Sequence, residues 1–194
     1  MLTVENTIKW LDLFADKVAA EKDYLSELDQ AIGDGDHGAN MSRGTAAMKE
    51  ALGKQNFGTV QDVLKTAAMS LLSKIGGASG PLYGSALIGM AKEAGNADTD
   101  LTSIVQAGAD GIQKRGKAEP GDKTMVDVWL TVLHALKEGK LTDAVIDQAV
   151  QATAPLKAKK GRASYLGDRS VGHIDPGAMS SGYLFKCLIA GGIL

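Results

Sequence analysis

An all-α domain is what the sequence predicts. Three observations predict it: apolar residues recur at three- and four-residue intervals along nearly the whole chain, no segment shows the alternation of a half-buried strand, and capping residues or prolines stand where the periodic runs begin. The 194 residues, 44% of them hydrophobic, suffice for one well-filled core. Residues 1–194 are therefore expected to form a single domain of eight helices.

Val4, Ile8, Leu11, Phe14, Val18, Leu25 and Leu28 mark a first long helix, irregular near Lys22. Met41, Thr45, Met48 and Leu52 mark a second, which opens at Gly38 or Ala39. Thr59, with Asp62 three residues on, starts a third in the manner of a capping box, and Val63, Ala67, Leu71 and Ile75 trace its buried stripe. Pro81 suits the first turn of a fourth helix carrying Leu82, Ala86 and Met90. Leu101, Ile104, Val105, Gly108 and Ile112 give a fifth; Met125, Val128, Trp129, Val132 and Leu136 give a sixth. Thr142 caps a seventh through Val145, Ala149 and Ala152, which Pro155 bends or ends. Asp175 as N-cap and Pro176 as first helical residue open the eighth, with Met179, Leu184 and Leu188 inward.

Eight helices leave seven connections, and the unusual sequence falls in alternate ones. DQAIGDGDHG from Asp29, GGASGP from Gly76, KAEPGDKT from Lys117 and GRASYLGDRSVGHIDPG from Gly161 are special; GKQNFGT, AGNADT and EGKLT are ordinary turns. Helices joined by short connections run up and down, so all four special segments are expected at one end of the bundle.

The densest chemistry lies between Asp29 and Asn40. Asp29, Asp34 and Asp36 crowd three carboxylates around Gly33, Gly35 and Gly38, and such groups repel one another unless a cation stands between them. All-oxygen ligands suit Mg²⁺, Ca²⁺ or Mn²⁺ rather than zinc. An EF-hand is excluded, because the twelfth position counted from Asp29, Asp34 or Asp36 is Asn40, Thr45 or Ala47 and not Glu. The glycines formally satisfy G-x-G-x-x-G, but they follow a helical pattern instead of a strand, and two aspartates inside the fingerprint would repel a bare pyrophosphate. A polar turn capping a helix is the competing reading, since Asp and Gly also serve turns for conformational reasons.

The glycines of GGASG let backbone N–H groups approach an anion and lead into a helix start, where the partial positive charge favours phosphate. His37 to Asn40 and Asp175 to Gly177 lie at two further helix starts. A polyphosphate sharing metal ions with the three aspartates would use both features, with Arg162 or Lys123 balancing the remaining charge; the same glycines also serve as ordinary caps. No G-x-x-x-x-G-K-[ST] occurs, which excludes a P-loop.

With 21 basic and 23 acidic side chains the formal charge is -2, and the largest basic cluster is Lys157, Lys159, Lys160 and Arg162, as readily a solvated helix end. General affinity for nucleic acid or membranes is not indicated. Cys187, the single cysteine, reads as a small core residue. No signal-type or membrane-spanning apolar run is evident, so a cytoplasmic location is expected. His134 falls inside the sixth helix and reads as structural; His173, in the long loop, reads as a group that gates or orients a site.

Together GDGDHGAN, GGASGPLYG, PGDKTMVDVW, GRASYLGDRSVGHIDPG and SSGYLF resemble the nucleotide-binding L subunit of dihydroxyacetone kinase, in the right order and over essentially the whole chain. The resemblance implies an all-α antiparallel eight-helix barrel with the nucleotide site at one rim. It implies that Asp29, Asp34 and Asp36 hold two Mg²⁺ ions bridging to the phosphates of ADP or ATP, and that these aspartates with Arg162 carry catalysis. On the same basis His37, Gly38, Ala39, Asn40, Ala78, Ser79, Gly80, Thr124, Met125, Arg162, Asp175, Pro176 and Gly177 would surround the nucleotide. One version of this family fuses the nucleotide and substrate domains and consumes ATP. In the other they are separate proteins, and bound ADP is rephosphorylated by a phosphohistidine carrier protein of the phosphotransferase system, fed from phosphoenolpyruvate. The chain holds only the nucleotide domain, which favours the second version and a dihydroxyacetone-binding subunit as partner; His37 is then not the phosphorylated residue. A metal-dependent phosphohydrolase and a metal-stabilised helical adaptor are the alternatives from other classes.

Overall fold

Six of the nine α-helices begin where the capping chemistry puts them. The computed structural model describes residues 1–194 and comprises α1 (Val4–Ala20), α2 (Lys22–Ile32), α3 (His37–Gly53), α4 (Val60–Lys74), α5 (Ser79–Ala94), α6 (Leu101–Gly116), α7 (Met125–Lys137), α8 (Asp143–Gln151) and α9 (Pro176–Ala190), with a 3-10 helix, Arg162–Ser170, between α8 and α9. The side chains of Thr3, Thr59, Asp100, Thr124, Thr142 and Asp175 each accept a backbone N–H of the helix that follows, satisfying donors that a helix start leaves unpaired.

Two departures from the eight expected helices matter. The first long helix is broken at Glu21 (φ -102, ψ 14), at the irregular stretch near Lys22. The break lets α1 pack against α3, α4 and α9 while α2 turns onto α3, α9 and the 3-10 helix. The second departure is the 3-10 helix within the long segment expected to be a loop. Non-helical Gly167 (φ 57, ψ -125) interrupts it, and a small apolar cluster of Ile32, Ala158 and Ala163, with Leu166 against it, seats it on the end of α2.

Packing runs in order from α3 through α4, α5, α6 and α7 to α9, with α8 against α7 and α9, and closes where α9 meets α1 and α1 meets α3. With α1 and α2 taken as one bent stave, the result is the expected eight-stave barrel. Its interior holds one apolar cluster centred on Trp10, Phe14, Tyr83, Trp129 and Phe185. The Trp10 indole N–H donates to the Leu184 carbonyl at 2.8 Å, tying α1 to α9 at the closing seam. Trp129 meets Phe185 edge-on at 4.8 Å. Each such fully buried side chain contributes about 1.5–3 kcal/mol, so the interior carries the stability and leaves the rim free to be polar. No helix is long and apolar enough to cross a membrane.

Candidate functional site

The four special connections do meet at one end. A cavity of about 530 Å³ is lined by the α2–α3 turn (Asp29 to Asn40), the α4–α5 turn (Gly76 to Ser79), the α6–α7 turn (Gly116 to Thr124) and the segment between α8 and α9 (Lys160 to Ala163, Asp175 to Gly177). None of the ordinary turns reaches it.

At the α2–α3 side, the carboxylate oxygens of Asp29, Asp34 and Asp36 lie within 4.8 Å of one another. The Asp29 Oδ2 accepts the backbone N–H groups of Asp36 at 2.9 Å and His37 at 3.0 Å, so the start of α3 fixes that carboxylate. A Cβ at Gly33 would stand 2.1 Å from Asp29 Oδ1, so glycine there leaves the carboxylate its place. Burial raises the Asp29 pKa, and the neighbouring Asp34 charge raises it further, while the two backbone N–H bonds oppose the rise. Three hard oxygen donors this close, one of them energetically averse to carrying its charge alone, fit a divalent cation such as Mg²⁺. The Arg162 guanidinium pairs with Asp34 at 2.7 Å from across the cavity mouth.

Three helix starts converge as the sequence predicts. His37 opens α3, Ser79 opens α5 and Pro176 opens α9. The His37 ring joins the first two, with Nδ1 3.1 Å from Ser79 Oγ, and reaches α9 through Nε2, 3.0 Å from Ser180 Oγ. Burial lowers the His37 pKa to about 4, so the ring is neutral at physiological pH. Asp175, the N-cap of α9, accepts the Ala178 N–H at 2.7 Å. Burial pushes its pKa to about 7, against the pull of that hydrogen bond and of Lys123.

Placement sorts the remaining sequence-predicted residues. Asn40, Ala78, Thr124, Met125, Arg162, Pro176 and Gly177 line the cavity along with the aspartates, His37 and Ser79. Gly38, Ala39 and Gly80 stand outside its wall. Gly38 is instead where α3 touches α2: a Cβ there would lie 1.9 Å from the Lys22 carbonyl oxygen. Gly80 sits likewise against the Ile75 carbonyl, and Ala39 is exposed on the outer face of α3. Lys123, one of two candidates for balancing phosphate charge, is only 1% exposed. Its ammonium donates to the carbonyls of Thr153 (2.6 Å), Ala154 (3.3 Å) and His173, which uses all three of its protons. It pins the chain around the cavity and has none left for a ligand. His173 contributes that carbonyl and is absent from the cavity wall. His134 lies on the surface, 3.3 Å from Glu138 one turn on.

The basic run follows α8 without sitting at its end, and the side chains of Lys157, Lys159 and Arg162 stay largely exposed in surface ion pairs. Lys157 pairs with Asp168 at 2.9 Å, Lys159 with Asp122 at 3.5 Å and Arg162 with Asp34, while Lys160 lines the cavity. Sequence reasoning missed Lys160 as a lining residue, and also missed an apolar wall of Pro81, Leu82, Ile112, Ala118 and Val126 with Arg115 beside it. Ile112 and Arg115 share the last turns of α6, a place where periodicity alone signals nothing but packing and helix-end charge.

Residues 31–190 match the family model described as the DAK2 domain. The chain belongs to the DAK2 domain family. Among DAK2 relatives, the ADP-binding subunit of the PTS-dependent dihydroxyacetone kinase of Lactococcus lactis is 53% identical, covering 97% of this chain and 98% of its own. The ADP-binding subunit of the PEP-dependent dihydroxyacetone kinase of Escherichia coli is 42% identical, with 93% of each chain covered. The L-erythrulose 1-kinase of Mycolicibacterium smegmatis is 36% identical over 94% of this chain but only 35% of its own length. The DAK2 fold is matched by the crystal structure of the dihydroxyacetone kinase of C. freundii in complex with AMP-PNP and Mg²⁺, at a TM-score of 0.77 and 23% identity, over 95% of this chain and 33% of that one.

Proposed function

We propose that this chain is the nucleotide-holding subunit of a cytoplasmic, phosphoenolpyruvate-driven dihydroxyacetone kinase. ADP stays in the cavity as a coenzyme and receives a phosphoryl group from a phosphohistidine carrier protein. The γ-phosphoryl of the resulting ATP then passes to a hydroxyl of dihydroxyacetone held on a separate subunit. The observation that carries this reading is the meeting, in one cavity, of a carboxylate trio, three helix starts and an apolar wall. The first supplies metal ligands, the second N–H donors for phosphate, and the third a surface for a base. Support comes from relatives whose names state ADP binding and which this chain matches almost end to end.

Asp29, Asp34 and Asp36 would hold two Mg²⁺ ions, which supply neutralisation of the phosphate oxygens when bound. The protein's own contribution is positioning and charge. Backbone N–H groups at the starts of α3, α5 and α9 orient the diphosphate. Arg162, free to leave Asp34 for a phosphate oxygen, offsets charge on the group in transfer. The γ-phosphorus exchanges its bond to the ADP oxygen for one to the acceptor oxygen, in line, and ADP remains behind.

Native mass spectrometry of the purified chain tests the reading: ADP is expected to co-purify and to be released by chelation. Reconstitution with the carrier and the dihydroxyacetone-binding subunit should then give turnover driven by phosphoenolpyruvate. Turnover on ATP alone would point to an ATP-consuming kinase, and free phosphate released from a sugar phosphate without partners would point to a hydrolase. Absence of any bound nucleotide, with no nucleotide affinity on titration, overturns the reading.

A further inference from the structure

Arg43 stands outside the cavity and holds a residue that lines it. It lies on α3 one turn after Asn40, and its guanidinium makes two bonds: Nη2 donates to Asn40 Oδ1 at 2.6 Å, and Nε donates to the Lys74 carbonyl, at the end of α4, at 2.9 Å. Asn40 is part of the cavity wall and Arg43 is not. Gly76, the first residue of the α4–α5 turn to line the cavity, rests on the pair: a Cβ there would meet Asn40 Oδ1 at 3.1 Å and Arg43 Nη2 at 3.4 Å. The bond to the α4 carbonyl anchors the guanidinium, so it meets Asn40 in one place.

This contact decides which way the Asn40 amide faces. A guanidinium carries five N–H donors and no acceptor, whereas a side-chain amide has an oxygen that accepts and a nitrogen with two protons to donate. An amide nitrogen 2.6 Å from Nη2 would set donor against donor, so the atom on that side is the oxygen, and the charge of the guanidinium strengthens the bond. Nδ2 is thereby turned the other way. The bond to Arg43 is the one side-chain hydrogen bond of Asn40. The residue is 8% exposed, and Asp12 Oδ1 is the one fully buried side-chain nitrogen or oxygen without a partner. The unpaired Nδ2 is therefore open to solvent, and the open space beside Asn40 is the cavity.

We infer that Arg43 is a positioning residue: it locks the Asn40 amide with both Nδ2 protons toward the cavity, where they serve an anionic oxygen. Without it, two χ1 wells common in helices and two amide faces leave one competent arrangement in about four, and affinity falls by that fraction. Half of those arrangements turn Oδ1 away from α4 and present a lone pair to the anion. That the anionic oxygen belongs to a phosphate rests on the nucleotide reading above; the orientation of the amide does not.

A double-mutant cycle in MgADP affinity, measured by calorimetric titration, tests the role. Asn40→Ala is expected to weaken binding roughly tenfold or more, the size of one hydrogen bond to a charged group, and Arg43→Ala about fourfold. The double variant is expected to be no weaker than Asn40→Ala, because Arg43 acts through Asn40. Losses that multiply overturn the inference, since the charge of Arg43 or its hold on α4 would act with or without Asn40. Adenosine, which has no phosphate, is expected to bind Arg43→Ala as it binds wild type; an equal loss for adenosine and MgADP shows a merely structural role and overturns the inference. Urea midpoints give a reading without nucleotide. Arg43→Ala is expected to lower the midpoint more in the wild-type background than in the Asn40→Ala background, and equal shifts overturn the amide orientation. Wild-type protein that fails to bind MgADP defeats the nucleotide reading and leaves the orientation to be decided by the urea midpoints.

Discussion

Replacing Gly38 with alanine separates two roles that the sequence leaves entangled. Glycine at this position could serve a bound nucleotide or the packing of α3 on α2, and the structure favours packing. A Cβ there would stand 1.9 Å from the Lys22 carbonyl oxygen and 2.6 Å from Ser26 Oγ, and has to retreat by about 1.1 Å to reach 3.0 Å. The serine can rotate away, but the carbonyl belongs to the first turn of α2 and cannot move alone. Overpacking against backbone costs about 3 kcal/mol, the upper part of the usual range. Alanine recovers about 1 kcal/mol of helix propensity over glycine. The net loss is therefore about 2 kcal/mol, or roughly 4–8 °C in Tm for a chain of this size. Thermal and urea melts followed by far-ultraviolet circular dichroism measure it, with Ala39→Ser, on the exposed face of the same turn, expected within about 0.5 kcal/mol of wild type. An unchanged urea midpoint for Gly38→Ala, together with lost MgADP binding, would refute the packing argument and return Gly38 to the ligand.

Other substitutions probe the site from different sides. Asp34→Asn is expected to abolish Mg²⁺-dependent nucleotide retention by native mass spectrometry, yet to shift stability by no more than about 1 kcal/mol, because its ion pair with exposed Arg162 is a surface one; full nucleotide stoichiometry would contradict the metal assignment. Lys123→Met should cost about 3 kcal/mol, since it orphans three carbonyls now served by one buried ammonium, and a normal urea midpoint would count against that. Asp175 gives a pH dependence. Its folded pKa of about 7 lies above the ordinary carboxylate value, so between about pH 4 and 7 the unfolded chain has released a proton that the folded protein retains. Its contribution to stability is full below pH 4, declines as pH rises to 7 and stays low above it. Asp175→Asn, which still caps α9, should flatten that decline without loss of stability at pH 8; a slope identical to wild type in nucleotide-free protein would show that another group titrates.

Legibility varied with the range of the interaction. Thr59, Thr142 and Asp175 could be recognised as caps because the donors they satisfy lie three residues away. The common rim of the special connections was legible for a similar reason: short turns force alternation, and alternation assigns ends. The 3-10 helix at Arg162 was not, because its seat is a contact of Ala163 and Leu166 with Ile32, over a hundred positions back. Lys123 misled for the same cause. In sequence it is a cation beside Asp122 in a polar turn; in space its partners are carbonyls at Thr153, Ala154 and His173.

The apolar spacing, the caps and the three close aspartates were enough to establish an all-α chain with a metal-suited turn, since each depends on neighbours within a helical turn or a short loop. What folding alone decided was membership of the cavity wall: that Ile112, Arg115 and Lys160 belong to it and Gly38 does not, and that His37 links three helix starts through two serines. Those facts depend on where the barrel closes, which is set by side chains packing across its whole width and is written in no local pattern.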